Sequence, residues 1–191
     1  MEQETCAWAL KHPLEQAYHD AEWGVPVYDD NTLFEFITLE GAQAGLSWIT
    51  ILKKREGYRQ AFEEYDLTKL GRYSAEQVEA RTEEIITQFD VVKHRGKIRS
   101  VFSNAQAALR LVEEYGSLSN ALWQFVEHKP IINHWQTMSE VPTSSAESKA
   151  MSQFLKKRGF KFVGETICYA FLQATGMVDD HLQTCPKKAR L

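Results

Sequence analysis

Cysteine is scarce in this 191-residue chain: three residues, an odd number that intrachain disulfides cannot use up. In a reducing compartment burial or metal ligation is the better expectation for them. Long apolar runs are also missing. No stretch approaches the ~18 uncharged apolar residues of a membrane-crossing helix, so no membrane partner is expected. The opening residues, Met1-Glu2-Gln3-Glu4-Thr5-Cys6, are acidic and lack the apolar centre of a secretory signal, so the chain reads as cytoplasmic. Strand-like alternation never persists long enough for a sheet, and there are no repeats, low-complexity tracts or long Gly/Ser/Pro linkers. What remains, at 43% apolar content, is ordinary globular composition. One domain over 1–191 is expected, with room for two helical subdomains and a cleft between them, and a monomer is the default state.

The formal net charge of −4 hides a polarised layout. Residues 1–40 carry nine carboxylates against the single cation Lys11, whereas residues 41–191 carry 21 cations and 17 carboxylates. Two segments are basic without any acid: Lys93–Arg99, and Ser148–Gly164 with Lys149, Lys156, Lys157, Arg158 and Lys161. Either alone reads as a solvated face. Together they suit a surface that meets phosphates, which overall charge does not reveal.

Helix punctuation recurs along the chain. Pro13 suits the first turn of a helix running to Trp23 and Gly24. Asp30 or Asn31 is placed to cap a helix to about Gly45, and Ser47 precedes Trp48–Phe62. Ser74 and Gln77 have capping-box spacing ahead of Val78–Ile86. Lys97–Tyr115 is amphipathic and ends at Gly116, and Leu118–His128 is stopped by Pro130. Ser144 and Glu147 have the spacing of a second capping box, opening a helix through Arg158 that Gly159 ends. Glu165–Thr175 closes at Gly176. The fold class is all-α.

Between the last two helices lies Lys156-Lys157-Arg158-Gly159-Phe160-Lys161-Phe162-Val163-Gly164. Gly159 suits a left-handed helix end, and Gly164 lets backbone approach whatever lies above the next helix start. Free amides there, aligned with the helix dipole, form an anion site, with Phe160, Phe162 and Val163 anchoring the hairpin and Lys161 facing solvent. Helix-hairpin-helix proteins hold a DNA phosphate this way without reading sequence; a plain helix–helix turn is the competing reading.

Cys6, His19, His181 and Cys185 form a second constellation. His181 and Cys185, at i and i+4, are expected on one face of a helical turn. Two thiolates and two imidazoles suit tetrahedral zinc with no open position for a catalytic water, joining the chain ends; ordinary thiols and surface histidines are the alternative. Cys168, inside an apolar helix, reads as core. A third feature is Glu40, which shares a helical stripe with Leu33, Ile37 and Ala44. An unpaired charge there is expensive, so either solvent or a salt bridge satisfies it, or it lines a pocket with Trp48. Trp8, Tyr18 and Trp23 gather near Cys6 and His19. Such rings are commonly core, yet beside a carboxylate they also cradle a cationic purine.

At these residues the chain resembles the DNA-3-methyladenine glycosylase I family. The resemblance runs from Cys6 to about Pro186, through Cys6–Trp8, Ala17–Pro26, Leu39–Glu56, His94–Ile98, Lys156–Phe171 and Asp179–Cys185, in the family's order. It implies a helix-hairpin-helix glycosylase fold whose N- and C-terminal segments are joined by one structural Zn2+ on Cys6, His19, His181 and Cys185. It implies a base pocket of Trp8, Tyr18, Glu40 and Trp48, with Trp23 nearby. Leu46 stands where the family presents an apolar residue to the gap left by a flipped nucleotide, and Gly159–Gly164, with Lys161, is the phosphate-binding hairpin. The partner implied is double-stranded DNA containing alkylated adenine.

Two positions depart from the pattern. Glu15 replaces a pocket tyrosine, which puts one wall in question. Asp179 replaces an asparagine and lies near where related helix-hairpin-helix glycosylases place a catalytic aspartate. It is a secondary candidate, with support of the zinc turn as its other reading. Adenine methylated at N3 is cationic, so its glycosidic bond is already weakened and the enzyme must chiefly extrude and hold the base. Glu40 is the expected catalytic group, accepting from the adenine edge while Trp48 and Tyr18 pack on the ring. No nucleophilic lysine stands out, so a monofunctional glycosylase is expected. A non-enzymatic zinc-stapled DNA-binding module is the main competitor and a zinc hydrolase a weaker one.

Overall fold

The computed structural model describes residues 4–188; residues 1–3, part of the stretch read as lacking a signal, and 189–191, the end of the expected 1–191 domain, lie outside the described residues. Helices form where caps stand, though several caps differ from the expected ones. α1 (Pro13–Ala21) has Pro13 in its first turn, but its cap is His12, whose Nδ1 accepts from the Leu14 amide at 3.0 Å. α2 (Asp30–Gln43) is capped by Asp29 rather than Asp30 or Asn31, its carboxylate accepting from the Thr32 amide at 2.8 Å. Asp30 instead accepts from the Leu118 and Ser119 amides at 3.0 and 2.8 Å, tying α2 to the start of a distant helix. α3 (Trp48–Ala61) follows Ser47, and α4 (Leu67–Leu70) is one turn that the sequence reading missed.

α5 (Ala75–Gln88) opens with the expected Ser74–Gln77 capping box. α6 (Arg95–Tyr115) starts before Lys97 because His94 Nδ1 accepts from the Lys97 amide at 3.1 Å, and it ends at Gly116 with φ +82°. α7 (Leu118–Trp123) is shorter than expected. Its chain tightens into a 3₁₀ turn over Gln124–Val126, and Glu127 and His128 take positive φ, so no helix reaches His128. The box opening α8 (Ala146–Lys157) is Ser145 with Ser148, not Ser144 with Glu147. α9 (Glu165–Ala174) follows the hairpin.

Sheet is not wholly absent. β1 (Ile131–Ile132) and β2 (Val178–Asp179) pair in parallel, with Ile131 opposite Val178. At the centre of the fold is α2, buried at every position from Leu33 to Ala42 and packed against α3, α6, α7 and α9. A helix buried all round should be apolar. Its two interior acids are therefore exceptions that need an account. Glu35 is paired with Arg55 at 2.7 Å and Arg59 at 3.5 Å; Glu40 belongs to the site. The buried apolar side chains form one cluster that reaches from Cys6 to Cys185. Among the described residues no helix is long and apolar enough to cross a membrane.

Candidate functional site

Four helices contribute walls to a cleft of about 300 Å3. Glu15 and Tyr18 reach it from α1, one turn apart on the same face; Glu40 and Gln43 do the same from α2. Trp48 enters from the first position of α3, Ala170 and Gln173 from α9. Trp8, Trp23 and the partly exposed Met138 complete the lining. The rings are in contact: centroids of Tyr18 and Trp48 lie 5.2 Å apart, those of Trp8 and Trp23 5.1 Å, and those of Trp8 and Tyr18 6.5 Å.

Glu40 is only 4% exposed and has no hydrogen-bond or ion-pair partner among the described residues. No salt bridge satisfies it, and burial pushes its carboxyl up to about 8. The Tyr18 hydroxyl and the Trp48 indole N–H are likewise buried with no partner. Burial first, then nearby Glu40, raises the Tyr18 phenol above its ordinary value, so it stays a neutral donor. Buried polar atoms without partners are uncommon, and two of them, on Tyr18 and Trp48, face this one cavity. A larger groove of about 540 Å3 beside α5 and α6 has no such set; its one carboxylate, Glu79, is already paired with Arg99.

Next to the cleft, ligand atoms of Cys6, His19 and Cys185 lie within 4.8 Å of one another, all buried. His19 Nε2 is 3.5 Å from Cys185 Sγ, and His19 Nδ1 is held by Asp20 at 2.9 Å. His181 is outside the 4.8 Å group, but its ring centroid is 4.8 Å from that of His19. Its Nδ1 meets Asp179 at 3.0 Å, while its Nε2 is buried without a partner. Each imidazole thus has one nitrogen oriented by a carboxylate and the other turned away from it, the usual outer arrangement of a metal-bound histidine. Two thiols and an imidazole within ligand distance of one another, with an orphaned buried nitrogen on the imidazole next to His19, fit zinc. Desolvation lowers the His19 pKa, which keeps the ring neutral. The same effect pushes the Cys6 thiol up to about 12, so a thiolate there needs a cation. His181–Cys185 is not helical, contrary to the i, i+4 reading. The chain turns at Gln183–Thr184, with the Cys185 amide donating to the Leu182 carbonyl at 2.9 Å. Asp179 is placed outside the cleft lining, 3% exposed, against the His181 amide and ring and 3.3 Å from Lys188.

The hairpin joining α8 to α9 is clasped by Asn104 of α6, whose side chain donates to the Lys161 carbonyl at 3.0 Å and accepts from the Lys161 amide at 2.8 Å. Phe160 and Val163 are buried, and Ser152 donates to the Val163 carbonyl at 2.7 Å. Gly159 has φ +90°, a backbone that favours glycine; the Lys161 side chain is exposed. Gly164 occupies the α9 cap position with no side-chain cap, and the space above it is open. The first-turn amides of α9 are therefore free to meet an anion. Leu46, 40% exposed, projects from the turn between α2 and α3, which Lys97 fixes by donating to the Ala42 and Ala44 carbonyls at 2.9 and 2.6 Å.

Several cleft residues were not singled out by the sequence reading. Gln43 was visible in principle, one turn beyond Glu40. Gln173 was not: its place depends on Asp180, which is fully buried and accepts from Gln173 at 2.8 Å, Tyr169 at 2.5 Å, and Asn133 and Trp135 at 2.7 Å. Glu15, read as a doubtful wall, does line the cleft.

Comparison with known proteins adds to this geometry. The sequence profile of the methyladenine glycosylases matches residues 8–188. DNA-3-methyladenine glycosylase 1 of Escherichia coli (strain K12) is 48% identical over 182 residues, covering 95% of either chain. A crystal structure of 3-methyladenine DNA glycosylase I superposes with a TM-score of 0.90 at 45% identity, over 97% of this chain and 100% of the other. A tyrosine-to-phenylalanine variant of 3-methyladenine DNA glycosylase I, solved in complex with 3-methyladenine, gives 0.89 at 36% identity, over 97% and 98%.

Proposed function

Since this chain belongs to the methyladenine glycosylase family, we propose that it is a monofunctional hydrolase that cuts the N-glycosidic bond of 3-methyladenine in double-stranded DNA and leaves an abasic site. The observation that carries the reading is Glu40: an acid with no partner, buried in a ring-lined cleft beside two unpartnered N–H and O–H donors. In the empty cleft its raised pKa keeps it protonated at neutral pH. A cationic base restores the carboxylate, because an opposite charge favours the ionised form. Glu40 then accepts from the adenine amine edge while Tyr18 and Trp48 pack on the ring, with Trp8 and Trp23 behind.

Once the lesion is extruded, the C1′–N9 bond breaks with its electron pair going to the base. The base leaves neutral, so no acid need protonate it; water adds to the sugar carbon and its proton passes to solvent. The helix-hairpin-helix element over Gly159–Gly164, with Lys161, holds a backbone phosphate, and Leu46 occupies the gap left by the flipped nucleotide. The enzyme works as a monomer in the cytoplasm. Cys6, His19, His181 and Cys185 would hold one zinc ion, which supplies a structural clamp between the chain ends. Asp179 serves as the orienting partner of His181 rather than as a base.

Chromatography of free bases released from methylated DNA tests the function. Release of 3-methyladenine without strand cleavage is expected, reduced about 100-fold by Glu40→Gln, the loss of one charged partner in a dry site. DNA affinity without base release would instead mean a binding module.

A further inference from the structure

The cleft holds a second acid that the reaction above does not use. Glu15 lies one helical turn before Tyr18 on α1, lines the same cavity as Glu40, and is 9% exposed. Like Glu40 it has no hydrogen-bond or ion-pair partner among the described residues. An unpaired acid in a tryptophan-walled cavity is costly, and this cavity holds two. No lysine, arginine or histidine is among the other lining side chains. Arg55, whose charge reaches Tyr18, is committed to Glu22 at 2.8 Å and Glu35 at 2.7 Å. Nor do the acids serve the cavity's own donors, because the Tyr18 hydroxyl and Trp48 indole are both unpartnered. A positive ligand is what neutralises such a pair.

We propose that Glu15 is a specificity-determining residue, a second acidic wall by which this cleft selects N-methylated purines for their fixed positive charge. The inference rests on the cleft being the base pocket. A cationic purine gains from both acids, whereas neutral adenine and the neutral released base gain little from the second. The product is then held less tightly than the lesion, which favours turnover. For a unit charge ~6–10 Å away at an effective dielectric of ~20, the second acid is worth roughly 15- to 100-fold in affinity.

The test is direct binding, followed by quenching of tryptophan fluorescence. Two probes differ in charge: 3,9-dimethyladeninium, a permanent cation, and neutral 3-methyladenine. Glu15→Gln, which keeps the shape, is expected to weaken the cation roughly 15- to 100-fold and the neutral base by no more than about threefold. Glu15→Asp, which keeps the charge, should retain most of the preference, and thermal melts establish that both variants fold. Equal losses for the two probes, or no loss for either, would overturn the role of Glu15. If the wild type releases 3-methyladenine from methylated DNA while Glu15→Gln changes neither probe, this inference alone fails. If the wild type releases no base and binds neither probe, the base-pocket reading falls and takes the inference with it.

Discussion

At the residue scale Glu40 ties stability to function. Its carboxyl rises from the ordinary 4.5 to about 8 on burial, so the folded protein holds a proton that the unfolded chain releases. Stability from this group is present at acid pH and is lost as pH climbs from about 4.5 to about 8. Glu40→Gln should therefore stabilise the empty protein at pH 8 by a few kcal/mol, on the order of 3, and change little at pH 4.5, as read by urea unfolding at the two values. Activity should run the other way. Capture of a cation needs the carboxylate, so kcat/KM should rise with pH toward about 8, and Glu40→Gln should flatten the profile while lowering it. This residue was legible in sequence because an acid interrupts the stripe of Leu33, Ile37 and Ala44. Glu35 is as deeply buried but was passed over, since its partners Arg55 and Arg59 come from another helix. Gln173 was hidden for the same kind of reason: Asp180 places it through a network drawn from α9 and the segment between β1 and α8.

Among the elements, the start of α9 makes the clearest prediction. Gly164 leaves its first-turn amides without a side-chain cap, and open space lies above it. Gly164→Asp would supply the missing cap, at a backbone with φ −62° that aspartate accepts, and shift stability by only a few tenths of a kcal/mol. The same carboxylate would occupy the anion site and repel a phosphate. DNA affinity should fall by at least about tenfold with folding intact, a separation that fluorescence anisotropy and thermal melts read together. Lys161→Ala should weaken all DNA sequences alike and reduce the slope of affinity against salt by about 1. Helix order and the glycine-marked ends were readable because Gly116 and Gly159 stand where the chain must turn left-handed. Helix starts were read less well. His12 and His94 cap α1 and α6 through ring nitrogens, outside the usual Ser, Thr, Asp and Asn set, and Asp30 went to another helix. The α2 stripe was seen as one apolar face, although neighbours on all sides bury the helix from Leu33 to Ala42.

For the molecule as a whole, the proposed zinc site joins what the sequence keeps furthest apart: Cys6 and His19 near one end, His181 and Cys185 near the other. Spacing alone left open whether the four meet; the fold brings Cys6, His19 and Cys185 together, with the His181 ring beside that of His19, even though His181–Cys185 is a turn and not a helix. Closing so long a loop with one ion constrains the unfolded chain by several kcal/mol, which for a chain of this length corresponds to roughly 10 °C or more in Tm. Chelation should cost that much, and cobalt exchanged into the site should show the absorption of tetrahedral thiolate ligation. The cluster also abuts the cleft. The Trp8 ring centroid is 5.4 Å from that of His19 and 6.5 Å from that of Tyr18, and Trp23 lies 4.6 Å from His181 and 5.1 Å from Trp8. Trp8 and Trp23, two walls of the cleft, therefore rest on the proposed metal ligands. Metal loss should loosen those walls before the core unfolds, so at a temperature where the depleted protein is still helical its affinity for 3-methyladenine should already be lower. Depleted protein that binds the base as tightly as the loaded form would show that the clamp and the pocket are independent.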